Sequence, residues 1–286
     1  LALYKFHVLS NPFGNIYNPV SLFNLFDEQY KPEENLLERD GQWFSFGLHS
    51  DFTATSKEIL INNITSSRQK LSHFLAKTEV LVLTLGTSFV YKLKKSDEIV
   101  ANCHKVPATD FYKVLLSVDE NLKAFERFYT YIKSKNPDLK FIFTVSPVRH
   151  IKDTIPLNSV SKSVLRVACH EFCSFKDVYY FPSYELVLDD LRDYRFYKGD
   201  LIHPNEMAEE YIWNYFQQCF FDPKVKEFIN SWADIISAMN HKPFNREGYA
   251  HQQFLKLQIA KLKSFKGINV EQEIAYFEKQ INKTDN

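Results

Sequence analysis

Glycine is scarce in this 286-residue chain, which contains only seven. Neither G-x-G-x-x-G nor G-x-x-x-x-G-K-[ST] occurs, so the sequence encodes neither of the common glycine-rich loops that hold nucleotide phosphates. No apolar run reaches the roughly 18 residues that a membrane-spanning helix needs, and no signal peptide is visible. We therefore expect no membrane span and no nucleotide-binding loop of either kind.

The chain also has no excess of charge, because 35 Lys and Arg residues balance 35 Asp and Glu residues. No tract of Lys or Arg marks a basic contact patch. Nucleic acid and anionic lipid are therefore not expected as partners.

Cysteine is rare as well, and the four residues are Cys103, Cys169, Cys173 and Cys219. Cys169 and Cys173 are four residues apart on a predicted helix, next to His170, which would suit half of a zinc site. No second pair of Cys or His residues completes four ligands, so we predict no metal. Unpaired thiols are typical of reducing compartments and favour a cytoplasmic location.

What the chain does contain is mainly hydrophobic and aromatic. Hydrophobic residues make up 45% of the sequence, with 26 Phe and 16 Tyr. This content is sufficient for one sizeable core. Most of the aromatic residues are expected in that core, and exposed ones can bind sugars or acyl groups.

Hydrophobic periodicity predicts strands that alternate with helices over the first 220 residues. The predicted strands are 4–14, 42–52, 79–86, 139–148 and 178–184. The predicted helices are 18–30, 56–78, 117–137, 158–173, 184–194 and 204–220. Segments 79–86 and 139–148 are apolar enough to be buried on both faces of a sheet. Ser117 and Glu120 form a capping-box pattern, and Pro204 is predicted at a first helical position.

This alternation predicts an α/β fold with a mainly parallel sheet flanked by helices. From about residue 222 the pattern is helical only, with helices predicted at 223–240, 246–265 and 270–282. We predict an α/β domain over 1–221 and a C-terminal helical extension over 222–286. The charged face of that extension indicates either a tail packed on the α/β domain or a surface for homodimerisation.

Polar residues follow each predicted strand, and ligands of open parallel sheets bind beyond the carboxyl ends of the strands. The segments concerned are 10–14, 48–52, 86–91, 146–150 and 199–205. In the last of them, Asp200 precedes His203 by three residues, so its carboxylate can reach Nδ1–H and leave Nε2 as a general base toward a serine. The alternative is that Asp200 caps local N–H groups and His203 is an ordinary loop residue.

Seven longer motifs, in chain order, resemble the bacterial GSCFA-domain family, which is similar to the SGNH/GDSL hydrolases. They are NPFGNIYNP, HSDF, LGTSFVY, ANCHKVP, SPVRHIKD, FPSYELVLDDLRDYRFY and DLIHPNEMAEEYIW. The resemblance extends over residues 1–221 and implies a flavodoxin-like core of three layers. The Gly-Ser-Cys-Phe-Ala motif that names the family is absent here. We expect it, with the nucleophilic serine that the resemblance implies, in a segment preceding Leu1.

The resemblance implies a serine esterase or acyltransferase that acts on O-acyl groups, such as the O-acetyl groups of glycans. His203 is implied as the general base, and Asp200 as the residue that orients it. The implied oxyanion donors are Gly14, Gly86, Thr87 and Ser88. SGNH enzymes usually have Gly-x-Asn where Gly86-Thr87-Ser88 stands, so a hydroxyl or a backbone N–H would have to replace the amide. This chemistry needs no metal or organic cofactor, and its partner would be a small-molecule or glycan ester.

Two further pairs of residues are candidates for substrate binding. His49 and Asp51 form a second His/Asp pair after a predicted strand. Arg149 and His150 follow another, and Arg149 could bind a carboxylate or phosphate bidentately or could form an ion pair with an acid such as Asp153.

Two other functions remain open from the sequence. One is a non-catalytic carbohydrate-binding or ligand-binding module on the same fold, which the missing amide favours. The other is a metal-dependent phosphoester hydrolase, which would use His49, Asp51, Asp200 and His203 as ligands.

Overall fold

The computed structural model describes residues 1–245 and 248–282. The helices are α1 (Pro19–Asn24), α2 (Lys57–Leu75), α3 (Val118–Lys135), α4 (Ile155–Phe172), α5 (Ser183–Glu185), α6 (Glu206–Phe220), α7 (Pro223–Asn240), α8 (Tyr249–Ser264) and α9 (Glu271–Asn282). The strands are β1 (Leu36–Arg39), β2 (Gln42–Ser45), β3 (Val80–Leu85), β4 (Phe89–Leu93), β5 (Ile99–Val100), β6 (Phe111–Leu115), β7 (Lys140–Val145) and β8 (Val178–Tyr180).

A parallel sheet of three strands, ordered β3-β7-β8, lies at the centre of the α/β fold. The predicted α/β class is therefore confirmed. Apolar side chains of β3 and β7 pack against α1, α3 and α4, with the ring of Phe125 stacked 4.2 Å from that of Phe172. The capping box at Ser117 and Glu120 is present and begins α3, as predicted.

The strand β3 differs from its prediction, because it is an edge strand. Val80 and Val82 are 43% and 41% exposed, whereas β7, the central strand, is buried along all but its first residue. The alternate side chains of β3 face the core, and the others face outward. An apolar sequence is typical of a central strand buried on both faces. Composition alone does not reveal whether a strand lies at the centre or at the edge of its sheet.

The sequence analysis predicts only one of the antiparallel strands, β2, which forms the first four residues of the predicted strand 42–52. β1 pairs with β2, and β4 pairs with both β5 and β6 in a separate small sheet. These strands are two to five residues long, so their periodicity is too short to detect. The strand predicted at 4–14 is wrong: a short 3₁₀ turn, Ala2–Tyr4, ends at the first residue of this segment, and only an isolated bridge joins Pro12 to Gly14 within it.

The chain divides into two compact bodies. The α/β body is Leu9–Tyr215, and the helical body combines Leu1–Val8 with the chain from Phe216 onward. The predicted boundary at 221 and 222 lies a few residues from this division. Residues 1–8 instead group with the helices, where Leu3 accepts a hydrogen bond from Trp232 Nε1 (3.0 Å) and Lys5 pairs with Glu273 (2.7 Å).

The helical body consists mainly of α7, α8 and α9 around a core of its own, which includes Trp232, Ile235 and Phe277. Its helices were predicted at nearly the same positions; the first two residues of the predicted helix 246–265 and residues 283–286 lie outside the described residues. In the described parts of the chain, no helix is long and apolar enough to cross a bilayer.

Candidate functional site

Asp200 and His203 form the hydrogen-bonded pair that their spacing predicts. His203 Nδ1 lies 2.6 Å from Asp200 Oδ2. The other carboxylate oxygen accepts hydrogen bonds from the backbone N–H groups of Ile202 (2.9 Å) and of His203 itself (3.0 Å). Asp200 therefore also caps local N–H groups, which is the alternative role that the sequence suggests for it. The two backbone N–H groups and the imidazole lower the pKa of Asp200 to about 2. The carboxylate is therefore ionised at neutral pH.

The imidazole of His203 remains accessible from outside the protein. Its side chain is 53% exposed, and that of Asp200 is 43% exposed. Within residues 1–245 and 248–282, no hydrogen bond to Nε2 of His203 is found. The pair thus fixes one ring nitrogen and leaves the other available for proton transfer.

The backbone around the pair is held in a tight loop. The N–H of Lys198 donates to the carbonyl of His203 (2.8 Å), and the N–H of Leu201 donates to the carbonyl of Lys198 (2.9 Å). Leu201 adopts a left-handed backbone with φ of 57°, which costs a non-glycine residue about 1–2 kcal/mol. The contacts on both sides keep this conformation in place.

The start of α6 differs from the prediction. The helix begins at Glu206, and the side chain of Asn205 accepts the N–H of Ala208 (3.2 Å) as a cap would. Pro204 instead forms an isolated bridge with Tyr197, so its predicted place at the first helical position is wrong. The bridge helps to close the loop that carries His203.

Arg149 connects the end of β7 to this loop. Its Nη1 donates to the carbonyl of Leu201 (3.3 Å), and its Nη2 donates to the hydroxyl of Tyr197 (3.2 Å). The guanidinium also lies 4.6 Å from the ring centre of Tyr197 and 5.5 Å from that of Tyr194. The alternative for Arg149, an ion pair with Asp153, is not formed; Asp153 pairs with Lys113 instead.

Lys162, which the sequence analysis did not identify, lies beneath the ends of β3 and β7. The residue is 1% exposed, and its Nζ donates to the carbonyls of Gly86 (2.6 Å) and Ser146 (2.7 Å). Burial lowers the pKa of Lys162 to about 7. A signal was available: Lys162 lies on the buried stripe of α4 with Leu165 and Cys169, where a lysine is unusual.

The turn at 86–88 uses its donors internally. The N–H groups of Gly86 and Thr87 both donate to the carbonyl of Tyr17 (2.8 and 3.1 Å), and that of Ser88 donates to Ser161 Oγ (2.7 Å). The Ser88 side chain is fully buried and donates to the carbonyl of Leu116. The Thr87 hydroxyl lies 3.0 Å from Ser161 Oγ. These contacts give the turn a structural role and leave its predicted role in binding an oxyanion without support from its geometry.

Gly14 and His49 are in direct contact. A Cβ added to Gly14 would lie 2.5 Å from Cβ of His49, and φ of Gly14 is +75°, so both space and backbone conformation require glycine here. The N–H of Gly14 donates to the carbonyl of Asn11 (2.9 Å). The predicted oxyanion donor is thus also used within its own turn.

His49 and Asp51 form a weaker pair than His203 and Asp200. His49 Nδ1 lies 3.2 Å from the carboxylate of Asp51 and 3.3 Å from its backbone N–H. The His49 side chain is only 18% exposed. His104 fixes the preceding segment, since its Nε2 lies 2.8 Å from the carbonyl of Ser45 and 3.1 Å from that of Leu48.

Several of the polar segments identified from the sequence are linked by contacts. Tyr17, three residues after Gly14, accepts the N–H groups of Gly86 and Thr87, and its ring packs edge-on against that of His150 at 5.9 Å. Burial and the charge of Lys162 lower the pKa of His150. The adjacent Arg149 then reaches the loop that carries His203. The segments themselves were identified from the sequence, but Tyr17, Lys162 and Tyr197, which connect them, were not.

The described residues contain no group of three or more His, Cys, Asp or Glu side chains placed to hold a metal ion. His49 with Asp51 and His203 with Asp200 form two separate pairs, so the ligand set of the phosphoester hydrolase alternative is not assembled. Cys169 is buried and Cys173 half-buried, and both are free thiols.

Comparison with known proteins gives two family matches. The model of the GSCFA family matches residues 1–216. The model described as the C-terminal domain of GSCFA domain proteins matches residues 232–283. No curated protein and no solved structure matches the chain.

Proposed function

The chain belongs to the GSCFA family, and on this premise we propose that it takes part in serine-based acyl transfer, as an esterase or acyltransferase. The observation that carries the proposal is the pair at 200 and 203. Nδ1 of His203 is fixed by an ionised carboxylate, the side chain is about half exposed, and no hydrogen bond to Nε2 is found in the described chain. This is the arrangement that a general base toward a hydroxyl requires.

In the proposed reaction, Nε2 of His203 removes the proton of a serine hydroxyl as its oxygen attacks the acyl carbon of an ester. The tetrahedral intermediate collapses, and the imidazolium returns the proton to the departing alcohol oxygen. Water or an acceptor alcohol then repeats the two steps on the acyl-enzyme. Asp200 keeps the ring oriented and stabilises its protonated form.

We place the nucleophilic serine in a segment that precedes residue 1 in the natural polypeptide. The resemblance to the SGNH hydrolases supports this placement, as does the open edge of β3, where an additional strand could pair. The substrate we propose is an O-acyl group on a glycan. The rings of Tyr17 and Tyr194, which are 49% and 61% exposed, could pack against a sugar.

The test is hydrolysis of 4-nitrophenyl acetate by the complete natural polypeptide. We expect His203→Ala to lower kcat by up to about 10⁴-fold, because the general base is removed. His73→Ala is the control and should keep the wild-type rate, since it removes an exposed histidine of α2. Equal rates for wild type and His203→Ala would reject His203 as the base.

A second function is favoured by the turn at 86–88. Since the N–H groups of Gly86, Thr87 and Ser88 all have internal partners, a binding module without catalysis would also fit this turn. A fluorophosphonate probe separates the two functions. Covalent labelling of a serine that is lost in His203→Ala supports acyl transfer, whereas absence of labelling in the wild type supports the binding module.

A further inference from the structure

Arg149 differs from most other arginines of the described chain because no acid among the described residues pairs with it. Five described arginines lie within 4.0 Å of a carboxylate; they are Arg39, Arg68, Arg166, Arg192 and Arg195. Of the two remaining in the described chain, Arg127 is exposed on the surface of α3, whereas Arg149 is half-buried. A half-buried guanidinium without an acid keeps an unneutralised charge close to any ligand at this position.

The acids of the neighbouring loop are already engaged. Asp193 pairs with Arg195, and Asp200 is held by His203 and two backbone N–H groups. Arg149 uses two of its five N–H donors, on Leu201 and Tyr197. Among the residues that the structure describes, the other three donors make no hydrogen bond, so these donors and the full charge are left for a ligand.

A second basic group lies in the same region, and no carboxylate is within 4.0 Å of it in the described chain. Nζ of Lys162 is bound to the carbonyl of Ser146, three residues before Arg149, and to that of Gly86. This amino group is fully buried at the ends of β3 and β7. An anion bound near these strand ends would offset the desolvation of both basic side chains.

We propose that Arg149 is the charged centre of a subsite that binds an anionic group, a carboxylate or a phosphate, on the ligand that reaches His203. Tyr194 and Tyr197 hold the guanidinium in place through their rings, and Leu201 connects it directly to the loop of the proposed base. The part of this inference that names the substrate class rests on the proposed acyl transfer. The substrate is then an ester that carries a negative charge.

Anion binding is tested first, without any catalysis. The complete polypeptide is titrated with sodium phosphate and, separately, with sodium succinate at constant ionic strength, while the backbone amide signals of residues 200–203 are followed by NMR. We expect saturable shifts with at least one of the two anions, and about tenfold weaker binding in Arg149→Met. Arg149→Lys should bind the anion with intermediate affinity, because lysine keeps the positive charge but lacks the planar set of N–H donors of a guanidinium.

Arg127→Met is the matched control, because it removes the other arginine without an acid, and it should bind as the wild type does. His203→Ala should also bind within about threefold of the wild type, so failure of the proposed catalysis would leave this result intact. Shifts that do not saturate, or that are the same in Arg149→Met, would mean an adventitious ion only and would overturn the subsite.

The substrate class is tested by comparing a neutral acetyl ester with a hemisuccinyl ester of the same phenol. We expect Arg149→Met to lower kcat/KM about tenfold or more for the anionic ester, mainly through KM, and to change the neutral ester by about threefold or less. An equal loss for both esters would show that Arg149 only supports the loop.

Discussion

His203 and His49 each have an aspartate at hydrogen-bonding distance, yet the two pairs differ in exposure and geometry. In the first, the ring nitrogen and the carboxylate are 2.6 Å apart, and half of the imidazole is exposed. In the second, the distance is 3.2 Å, and the ring is covered by the turn at Gly14. Under the proposed acyl transfer, the comparison means that a nearby aspartate alone does not define a histidine as a base. The carboxylate must itself be fixed, and the second ring nitrogen must be free of the protein.

The largest expected difference between the pairs concerns their aspartates. Asp200→Asn should lower the rate of ester hydrolysis by up to about 10⁴-fold, because an amide no longer selects the ring tautomer that leaves Nε2 unprotonated. Asp51→Asn should change the rate by about threefold or less. Steady-state kinetics on 4-nitrophenyl acetate measure both. A similar loss in the two variants would remove the distinction drawn here.

The glycines next to the two pairs provide a comparison of stability. Gly14→Ala should lower the free energy of unfolding by about 2–4 kcal/mol, because alanine disfavours the left-handed backbone and its Cβ would overlap His49. Gly199→Ala, beside Asp200, should change it by less than about 0.5 kcal/mol, because nothing lies within 4 Å of the added carbon. Urea denaturation checks both values. Wild-type stability of Gly14→Ala would show that His49 is not packed as described.

The smallest effect concerns pH. The folded-state pKa of Asp200 is lowered to about 2, below its ordinary value of 3.8, by its hydrogen bonds. A lowered pKa means that the carboxylate stabilises the fold above about pH 3.8 and that this contribution disappears as pH falls toward 2. The stability difference between wild type and Asp200→Asn should therefore shrink below about pH 4. Urea denaturation at several acidic pH values measures it; a difference that grows as pH falls below 4 contradicts the assignment.

Sequence predicted the parts of the fold that have long, regular periodicity. The helices α2, α3 and α4 and the strands β3 and β7 were found near their predicted positions, because each repeats its apolar spacing over several turns or residues. The pairing of Asp200 with His203 was also predictable, since both residues lie in one short loop. Local spacing is enough to bring such side chains together.

The rest of the site depends on contacts between distant parts of the chain. Arg149 meets Tyr197 and Leu201 across 48 and 52 residues, and Lys162 meets Gly86 across 76. No local pattern encodes such distances. The hydrogen bonds of the 86–88 turn to Tyr17 and Ser161 could not be predicted for the same reason. The turn itself was predicted as the end of a strand.

The buried amino group of Lys162 has a further consequence for the strand ends that it joins. When a lysine loses its proton, which for Lys162 occurs near pH 7, the neutral amine keeps two N–H donors. Two donors are enough for the two carbonyls that Lys162 contacts. The spacing between Gly86 and Ser146 can therefore be maintained in either ionisation state. The local electric field would then change with acidity or with the arrival of a ligand, while the shape of the strand ends would not.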